Sequence, residues 1–269
     1  MRGNMNLRPA VFGVLVLLCL VGAAQAQELS ARQILEKTIH RRNFKDSELK
    51  VSIAKTRAGF TKNIALTLDQ KNYPDMVATL AVINKPEAAA GISFLTWDYN
   101  QKGKPDQKWY YLPAINLYKE LNDEQGRKYE DQFGFSMKIF AIDLEQADYK
   151  LLGEDKVADK NCWKVESLMK DPDSPDGARI LTWVNQETFG PQIVQVFDKT
   201  GKLLREFNLL EEKKFGDSWQ EMSGTYKDLG KGQVVKFQIT DCKFNTGLAD
   251  DLFQSKKLKG RGKSVSKQK

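Results

Sequence analysis

The spacing of apolar residues changes once along the chain, from a helical period to an alternating one. Ile34, Leu35 and Ile39 recur at helical spacing after Ser30, a good N-cap residue, which predicts an amphipathic helix over residues 31–42. Beyond it, apolar and polar residues alternate in runs of roughly five to ten, separated by turns rich in Gly, Asp and Pro. This pattern predicts about ten antiparallel strands.

The strand-rich region shows neither a domain linker nor an internal repeat, so we expect a single domain over residues 27–255. One helix followed by many consecutive strands indicates a mainly β (α+β) fold, built on one large, curved antiparallel sheet. The concave face of such a sheet needs a cover, and the part that a helix leaves uncovered becomes a cavity.

The first 26 residues have the three parts of a secretory signal peptide. Arg2 and Arg8 precede an apolar run over residues 10–24, and a small-x-small cleavage site ends at Ala26. An uncleaved membrane anchor is the alternative, but the run is shorter than the ~20 residues that a spanning helix needs. We therefore expect an exported protein whose mature chain begins at Gln27.

The basic charge belongs to the chain ends and not to the domain. The formal net charge is +7, yet residues 27–255 contain 33 basic and 35 acidic residues, which disfavours nucleic acid as a partner. Residues 256–269 hold seven Lys or Arg and no acid, and this composition predicts a disordered basic tail. Attraction of the tail to anionic headgroups is the alternative role.

Two cysteines, Cys162 and Cys242, remain after cleavage of the signal peptide. Export to an oxidising compartment favours a disulfide between them. The alternation of each strand places both residues on its more polar face. Two unpaired, half-buried cysteines are the alternative that the sequence leaves open.

The sequence offers few groups for catalysis. Its one histidine, His40, lies near the end of the predicted helix, where interaction with the helix C-terminus explains it. We find no nucleophile elbow, phosphate loop, dinucleotide fingerprint or metal-ligand cluster in the sequence. The acids Asp171, Asp173 and Asp176 lack the spacing of a calcium loop and fit a hairpin loop. We therefore expect no enzyme, no metal and no cofactor.

An aromatic hairpin over residues 94–121 is the most distinctive feature of the chain. Its strands carry apolar residues on both faces, which fits either a two-sided core or a sheet with one face lining an apolar cavity. Which face points inward is left open by the sequence. The candidates for the cavity wall are Phe94, Leu95, Trp97, Trp109, Tyr111 and Leu112.

Four segments resemble the LolA-like outer-membrane lipoprotein-sorting family. They are GISFLTWDYNQKGKPDQKWYYLPAINLYKEL, DYKLLGEDKVADKNCWKVE, LTWVNQETFGPQIVQVFDKTGKLLREF and KFNTGLADDLFQSKKL. These segments run in the family order across residues 90–258, and the signal peptide with the ARQILEKT helix completes the resemblance.

The resemblance implies an incomplete β-barrel of about eleven strands closed by helices. It also implies a non-enzymatic periplasmic protein, similar to the carrier LolA and its acceptor LolB, that holds acyl chains of a lipid or lipoprotein in a hydrophobic cavity. Such a carrier works between the inner and outer membrane, with a lipid-exporting membrane transporter as a partner. The alternative is a non-catalytic envelope adaptor that docks on a transporter without a ligand of its own.

One segment departs from the family pattern. Relatives carry a polar, acidic segment after the aromatic hairpin, whereas residues 133–144 are longer and more apolar here. The pattern fits a short helix or an apolar loop. We expect Phe133, Phe135 and Phe140 to contribute to a lid over the cavity or to a loop that touches a membrane.

Overall fold

The computed structural model describes residues 28–101, 103–133, 144–174 and 177–261, with backbone only for residues 130–133 and 260–261. Helix α1 spans Ala31–His40, which confirms the predicted helix and ends it two residues earlier. A capping box begins the helix, since the Ser30 hydroxyl accepts from the Gln33 amide and the Gln33 side chain accepts from the Ser30 amide.

The described strands number thirteen. They are β1 (Asp46–Arg57), β2 (Phe60–Asn72), β3 (Met76–Lys85), β4 (Ser93–Tyr99), β5 (Gln107–Leu112), β6 (Leu117–Leu121), β7 (Ala147–Val157), β8 (Lys160–Met169), β9 (Arg179–Asn185), β10 (Pro191–Phe197), β11 (Leu203–Phe215), β12 (Ser218–Asp228) and β13 (Gln233–Phe244). Helix α2 (Asp123–Phe133) follows β6, and the short α3 (Leu258–Arg261) ends the described chain.

All thirteen strands form one open antiparallel sheet in the order β6-β5-β4-β3-β2-β1-β13-β12-β11-β10-β9-β8-β7. The predicted fold class, a mainly β protein with one large antiparallel sheet, is confirmed. The strand count was too low because short strands such as β6 carry little alternation: three of its five residues are exposed.

Both long helices pack on the same face of the sheet. Ile34 and Leu35 of α1 pack against Val165 of β8, and Tyr129 of α2 stacks on Tyr110 of β5 with ring centroids 4.2 Å apart. Paired residues in an antiparallel sheet point to one face. The register connects Tyr110 to Val165 through Phe94, Ala81, Leu68, Ile64, Ile53, Phe237, Val235, Tyr226, Phe207, Val194 and Thr182. We call this the helix face.

A buried ionic cluster fastens the end of α1 to the far strands. The Arg41 guanidinium lies 2.6 Å from a carboxylate oxygen of Glu212 in β11 and 3.9 Å from one of Glu221 in β12, and all three side chains are buried. Glu212 also accepts hydrogen bonds from Thr188 (2.8 Å) and Gln192 (3.2 Å). The cluster therefore joins α1, β11, β12 and the β9–β10 connection.

The two cysteines are free thiols, so the disulfide that the sequence left open is not formed. Strands β9–β12 separate Cys162 in β8 from Cys242 in β13, whereas a disulfide requires Cα atoms within about 7 Å. Cys162 shares a face of β8 with Lys164 and Glu166, as expected, but it is fully buried there, and this burial raises the pKa of its thiol.

The folded domain extends past the predicted boundary at residue 255. Turns of 3-10 helix span Asp250–Phe253 and Ser255–Lys257, and Leu258 of α3 is fully buried, so the domain reaches at least Arg261. The predicted signal peptide and the last eight residues of the basic tail lie outside the described residues. Among the helices that the structure describes, none is long and apolar enough to cross a membrane.

We expect Arg41→Leu to lower the free energy of unfolding by about 3–5 kcal/mol, because it removes a buried cation that lies within 4 Å of two buried carboxylates. Urea unfolding followed by circular dichroism measures the loss. Adding Glu212→Gln to the variant should recover part of it. Arg32→Leu is the control, since Arg32 makes only exposed ion pairs, to Glu36 and Glu145. Equal losses in the two single variants would contradict a structural role for the buried cluster.

Candidate functional site

The centre of the sheet is apolar on the helix face and polar on the other. In β13, Val235, Phe237 and Ile239 point to the helix face, while Lys236 and Gln238 between them are exposed on the opposite face. A strand with this alternation covers apolar material on one side and faces water on the other. The helix face is therefore the inner face of the sheet.

Between the two helices, the inner face keeps a set of apolar side chains that are only partly buried, which we call the central apolar surface. Its members are Ile180, Val194, Val196, Met222, Tyr226 and Phe237. Among the described residues, α1 packs beside β7–β9 and α2 packs beside β5 and β6. The central apolar surface lies between these two places on β9, β10, β12 and β13.

A glycine shapes the floor of this surface. The rings of Phe207 and Phe237 lie nearly parallel, with centroids 6.3 Å apart. A Cβ atom at Gly224 would lie 2.7 Å from the Phe237 ring and 3.0 Å from the Phe207 ring. Glycine at this position therefore lets both rings lie across β12, which widens the apolar floor.

The structure divides the six predicted wall residues between the two faces. Phe94 and Leu112 point to the helix face, where Phe94 is buried in the core and Leu112 is partly buried. The other four, on the opposite face, are Leu95, Trp97, Trp109 and Tyr111. Of the predicted lid residues, Phe133 is the last residue of α2, and Phe135 and Phe140 lie outside the described residues.

A C-terminal segment covers those four residues. Residues 248–258, which we call the strap, place Phe253 and Leu258 in the same buried cluster as Trp109. The indole N–H of Trp97 donates to the Phe253 carbonyl at 2.9 Å, and the Trp97 and Trp109 rings meet edge to face with centroids 4.7 Å apart. The tryptophans of the aromatic hairpin therefore belong to a core that the chain closes with its own C-terminal residues.

Polar contacts hold the strap in place. The Lys71 ammonium lies 2.7 Å from the Asp250 carboxylate and donates to the Leu248 carbonyl at 2.6 Å. The Tyr73 hydroxyl donates to Asp250 at 2.8 Å. Burial, together with this bond to a carboxylate, raises the pKa of Tyr73 to about 12. The hydrogen bond from Lys71 lowers the pKa of Asp250.

Asp46, at the start of β1, organises the turn that leads into the strap. Its carboxylate accepts hydrogen bonds from the amides of Thr246, Gly247 and Leu248 and from the Thr246 hydroxyl, at 2.7–3.3 Å. Burial alone would raise the pKa of Asp46, but the donated hydrogen bonds outweigh it, and the pKa lies below its ordinary value. The ionised carboxylate therefore contributes to fixing the strap.

The main feature of the inner face, among the described residues, is the central apolar surface. Among them, no group of three or more His, Cys, Asp or Glu side chains is placed to hold a metal ion. The side chains of the central apolar surface bring dispersion contacts and burial, which suit an aliphatic chain.

Comparison with known proteins identifies the family of this chain. A family model whose description reads "uncharacterized protein" matches residues 75–260. The chain belongs to this family. The matched residues include β3–β13, the strap and therefore all the strands that carry the central apolar surface. No curated protein matches the sequence.

Solved structures show which fold the chain has. A DUF1329 family protein from Desulfovibrio piger is 19% identical, with a TM-score of 0.74 over 85% of this chain and 97% of its own. A domain named for outer membrane lipoprotein sorting, from Vibrio parahaemolyticus, is 19% identical, with a TM-score of 0.72 over 85% and 98%. A LolA superfamily protein from Nitrosomonas europaea is 20% identical, with a TM-score of 0.59 over 84% and 98%. The expected LolA-like fold is thereby confirmed.

We expect Trp109→Ala to lower the free energy of unfolding by about 3–5 kcal/mol, because it opens a cavity beneath the strap. Chemical denaturation measures the loss, and limited proteolysis should show earlier cleavage in residues 248–258. Phe60→Ala, at an exposed aromatic residue, is the control and should change stability by less than about 0.5 kcal/mol. Unchanged stability of the Trp109 variant would show that this face is not core.

The lowered pKa of Asp46 also predicts a pH dependence. Its contribution to stability is complete above the ordinary carboxyl pKa of about 4 and is lost as the pH falls through the lower folded-state value. Asp46→Asn should therefore be less stable than the native chain at neutral pH, and the difference should shrink in acid. Urea unfolding across the acidic range measures this difference. A gap that stays constant down to strongly acidic pH would contradict the assignment.

Proposed function

We propose that the protein is a non-enzymatic periplasmic carrier that binds acyl chains of a lipid or lipoprotein and moves them between the inner and outer membrane. The observation that carries this proposal is the central apolar surface, which lies on the inner face of a LolA-like sheet between two helices. The predicted signal peptide supports the location.

Acyl-chain binding needs no specific polar chemistry. Each CH₂ group removed from water contributes about 0.8 kcal/mol, so a chain of ordinary length binds well to a continuous apolar surface. The partly buried residues of β9, β10, β12 and β13 provide such a surface, with Phe237 at its centre supported by the buried ring of Phe207. Leu112, which is partly buried, lies on the same face toward α2, whereas Phe94 belongs to the core beneath it.

The segment that follows α2 fits the role of a lid. Residues 134–143 connect α2, beside β5 and β6, to β7 at the other edge of the sheet. We propose that Phe133, Phe135 and Phe140 contribute apolar cover to the cargo, and that an inner-membrane lipid-exporting transporter supplies it. The name of the Vibrio parahaemolyticus domain, which refers to outer membrane lipoprotein sorting, supports a cargo of this class.

We expect Val194→Trp to reduce uptake of a fluorescent fatty-acid probe at least tenfold, because the larger side chain fills the central apolar surface. The matched control is Gln195→Trp, which places the same ring on the opposite face of the same strand. Circular dichroism and thermal unfolding establish that both variants fold. Equal uptake by the two variants would contradict the placement of the site.

Mass spectrometry of natively purified protein tests the class of function itself. Acyl lipid should be released from the native chain under denaturing conditions and be depleted from the Val194→Trp variant. Repeated absence of lipid, together with no probe uptake by the native chain, would reject the carrier. That result would favour the alternative, an adaptor whose sheet is filled by its own side chains.

A further inference from the structure

The tips of three turns at one end of the sheet carry exposed, large apolar residues. Strands β1, β5 and β12 run in the same direction, so the turns that follow them lie at the same end. Phe60 at the first tip is 83% exposed, Ile115 at the second 70% and Leu229 at the third 49%. We call this the Phe60 end. Of the other exposed large apolar residues of the described chain, Leu117 begins β6 at this same end, and Leu152, Leu168 and Leu210 lie within strands.

The β1–β2 hairpin projects beyond β3 at this end. Ala58 and Gly59 form its two-residue turn, both with positive φ (49° and 81°), as a tight type I′ turn requires. The last residue of β3, Lys85, pairs with Ala65, so residues 60–64 of β2 extend beyond the neighbouring strand. The tip of the hairpin therefore reaches past β3, level with the β12–β13 turn.

Basic residues surround the exposed ring. Lys55, Arg57 and Lys62 line a groove of about 440 Å³ together with Phe60 and Thr61. The register pairs Arg57 with Phe60 and Lys55 with Lys62, so all four long side chains point to one face of the hairpin. That face is the helix face, because Ile53 and Ile64 form the next pair along it.

The adjoining β12–β13 turn has a more balanced charge. Arg57 pairs with Gln233, which places this turn directly beside the hairpin. Lys231 in the turn lies 3.7 Å from Asp228, so this pair adds no net charge. Among the described residues that line the groove, Arg57 and Lys62 are cations and none is a carboxylate. These two cations flank the exposed ring even though the domain as a whole is nearly neutral.

We propose that the Phe60 end is the surface by which this protein docks on an anionic phospholipid membrane. Phe60 inserts among the acyl chains just beneath the headgroups, while Arg57 and Lys62 contact lipid phosphates. An exposed aromatic ring among cations has the composition of a membrane-interface anchor, and its charge is complementary to the phosphates. The inference goes beyond the proposed cargo and holds whether or not the central apolar surface carries lipid.

Co-sedimentation of the full mature chain with vesicles tests the proposal. The native chain should bind vesicles of equimolar phosphatidylcholine and phosphatidylglycerol, bind pure phosphatidylcholine far less, and dissociate as salt is added. Phe60→Ser should weaken binding about tenfold through lost insertion. The double variant Arg57→Ser with Lys62→Ser should weaken it about 30-fold, since each basic residue contributes about 1 kcal/mol near an anionic surface.

Matched control variants test whether binding depends on the Phe60 end or only on the total charge and exposed apolar area of the protein. Leu210→Ser removes an apolar residue that is 63% exposed within β11. Lys213→Ser with Lys214→Ser removes two exposed charges from the same strand. Both controls should bind within about twofold of the native chain. Thermal unfolding of every variant excludes loss of fold as the cause.

Four outcomes would overturn the proposal. The native chain could fail to bind anionic vesicles, the hairpin variants could bind like the native chain, or the β11 controls could lose as much binding as the hairpin variants. Displacement by soluble glycerol phosphate would also overturn it, because that result assigns the groove to a free phosphate ligand. Lipid uptake by Val194→Trp is a separate measurement, so failure here leaves the carrier proposal untouched.

Discussion

An open antiparallel sheet presents two faces, and apolar side chains on either face must be covered by the same chain or by a ligand. Strands β4 and β5 are buried on both faces. Helix α2 covers Tyr110 on one face, and the strap covers Trp109 on the other. The aromatic hairpin is therefore core on both sides. The proposed ligand surface therefore lies in the middle of the sheet, where apolar residues are only partly buried.

The covering segments are fastened at one end of the sheet by buried or partly buried charges. Arg41 ties the end of α1 to Glu212, and Asp46, a few residues later, ties the start of the strap to β1. The exposed apolar tips are at the opposite end. The two ends of the sheet therefore differ. Buried ionic and hydrogen-bonding contacts hold the covering segments at one end, and exposed apolar and basic residues lie at the Phe60 end.

Much of this architecture was predictable from residue spacing. The helix and the sheet followed from Ile34 and Leu35 at helical spacing and from alternation such as that of Leu49, Val51 and Ile53. The sequence did not predict which segment covers each face of the sheet. Alternation shows which residues share a face, but it does not show which helix or loop packs on that face. The strap was missed because Leu248, Leu252 and Phe253 lie outside any strand, with no period to mark them.

The burial of Cys162 is a second feature that alternation along the strand did not predict. The alternation of β8 predicted a polar face for Cys162, but that face is covered by Leu181 and Trp183 from the neighbouring strand. Strand order also explains why the two cysteines do not form a disulfide, because β9–β12 lie between β8 and β13. This order could not be derived from the two cysteine-containing segments alone. The apolar face of β13 had a sequence signal, the alternation of Val235, Phe237 and Ile239, but alternation does not show that Phe237 is only partly buried while Val235 and Ile239 are core.

The register connects the two proposed sites along a single face. From the core pair Ile53 and Ile64, the helix face leads through the pair Lys55 and Lys62 to Arg57 and Phe60 at the hairpin tip. In the other direction Ile53 pairs with Phe237, at the floor of the central apolar surface. A lipid leaving a membrane at the Phe60 end would keep its phosphate beside the cations while its acyl chains moved onto apolar residues. The apolar residues of this face begin at the Ile53 and Ile64 pair, so only the passage beside Lys55 and Lys62 would expose the chains to water.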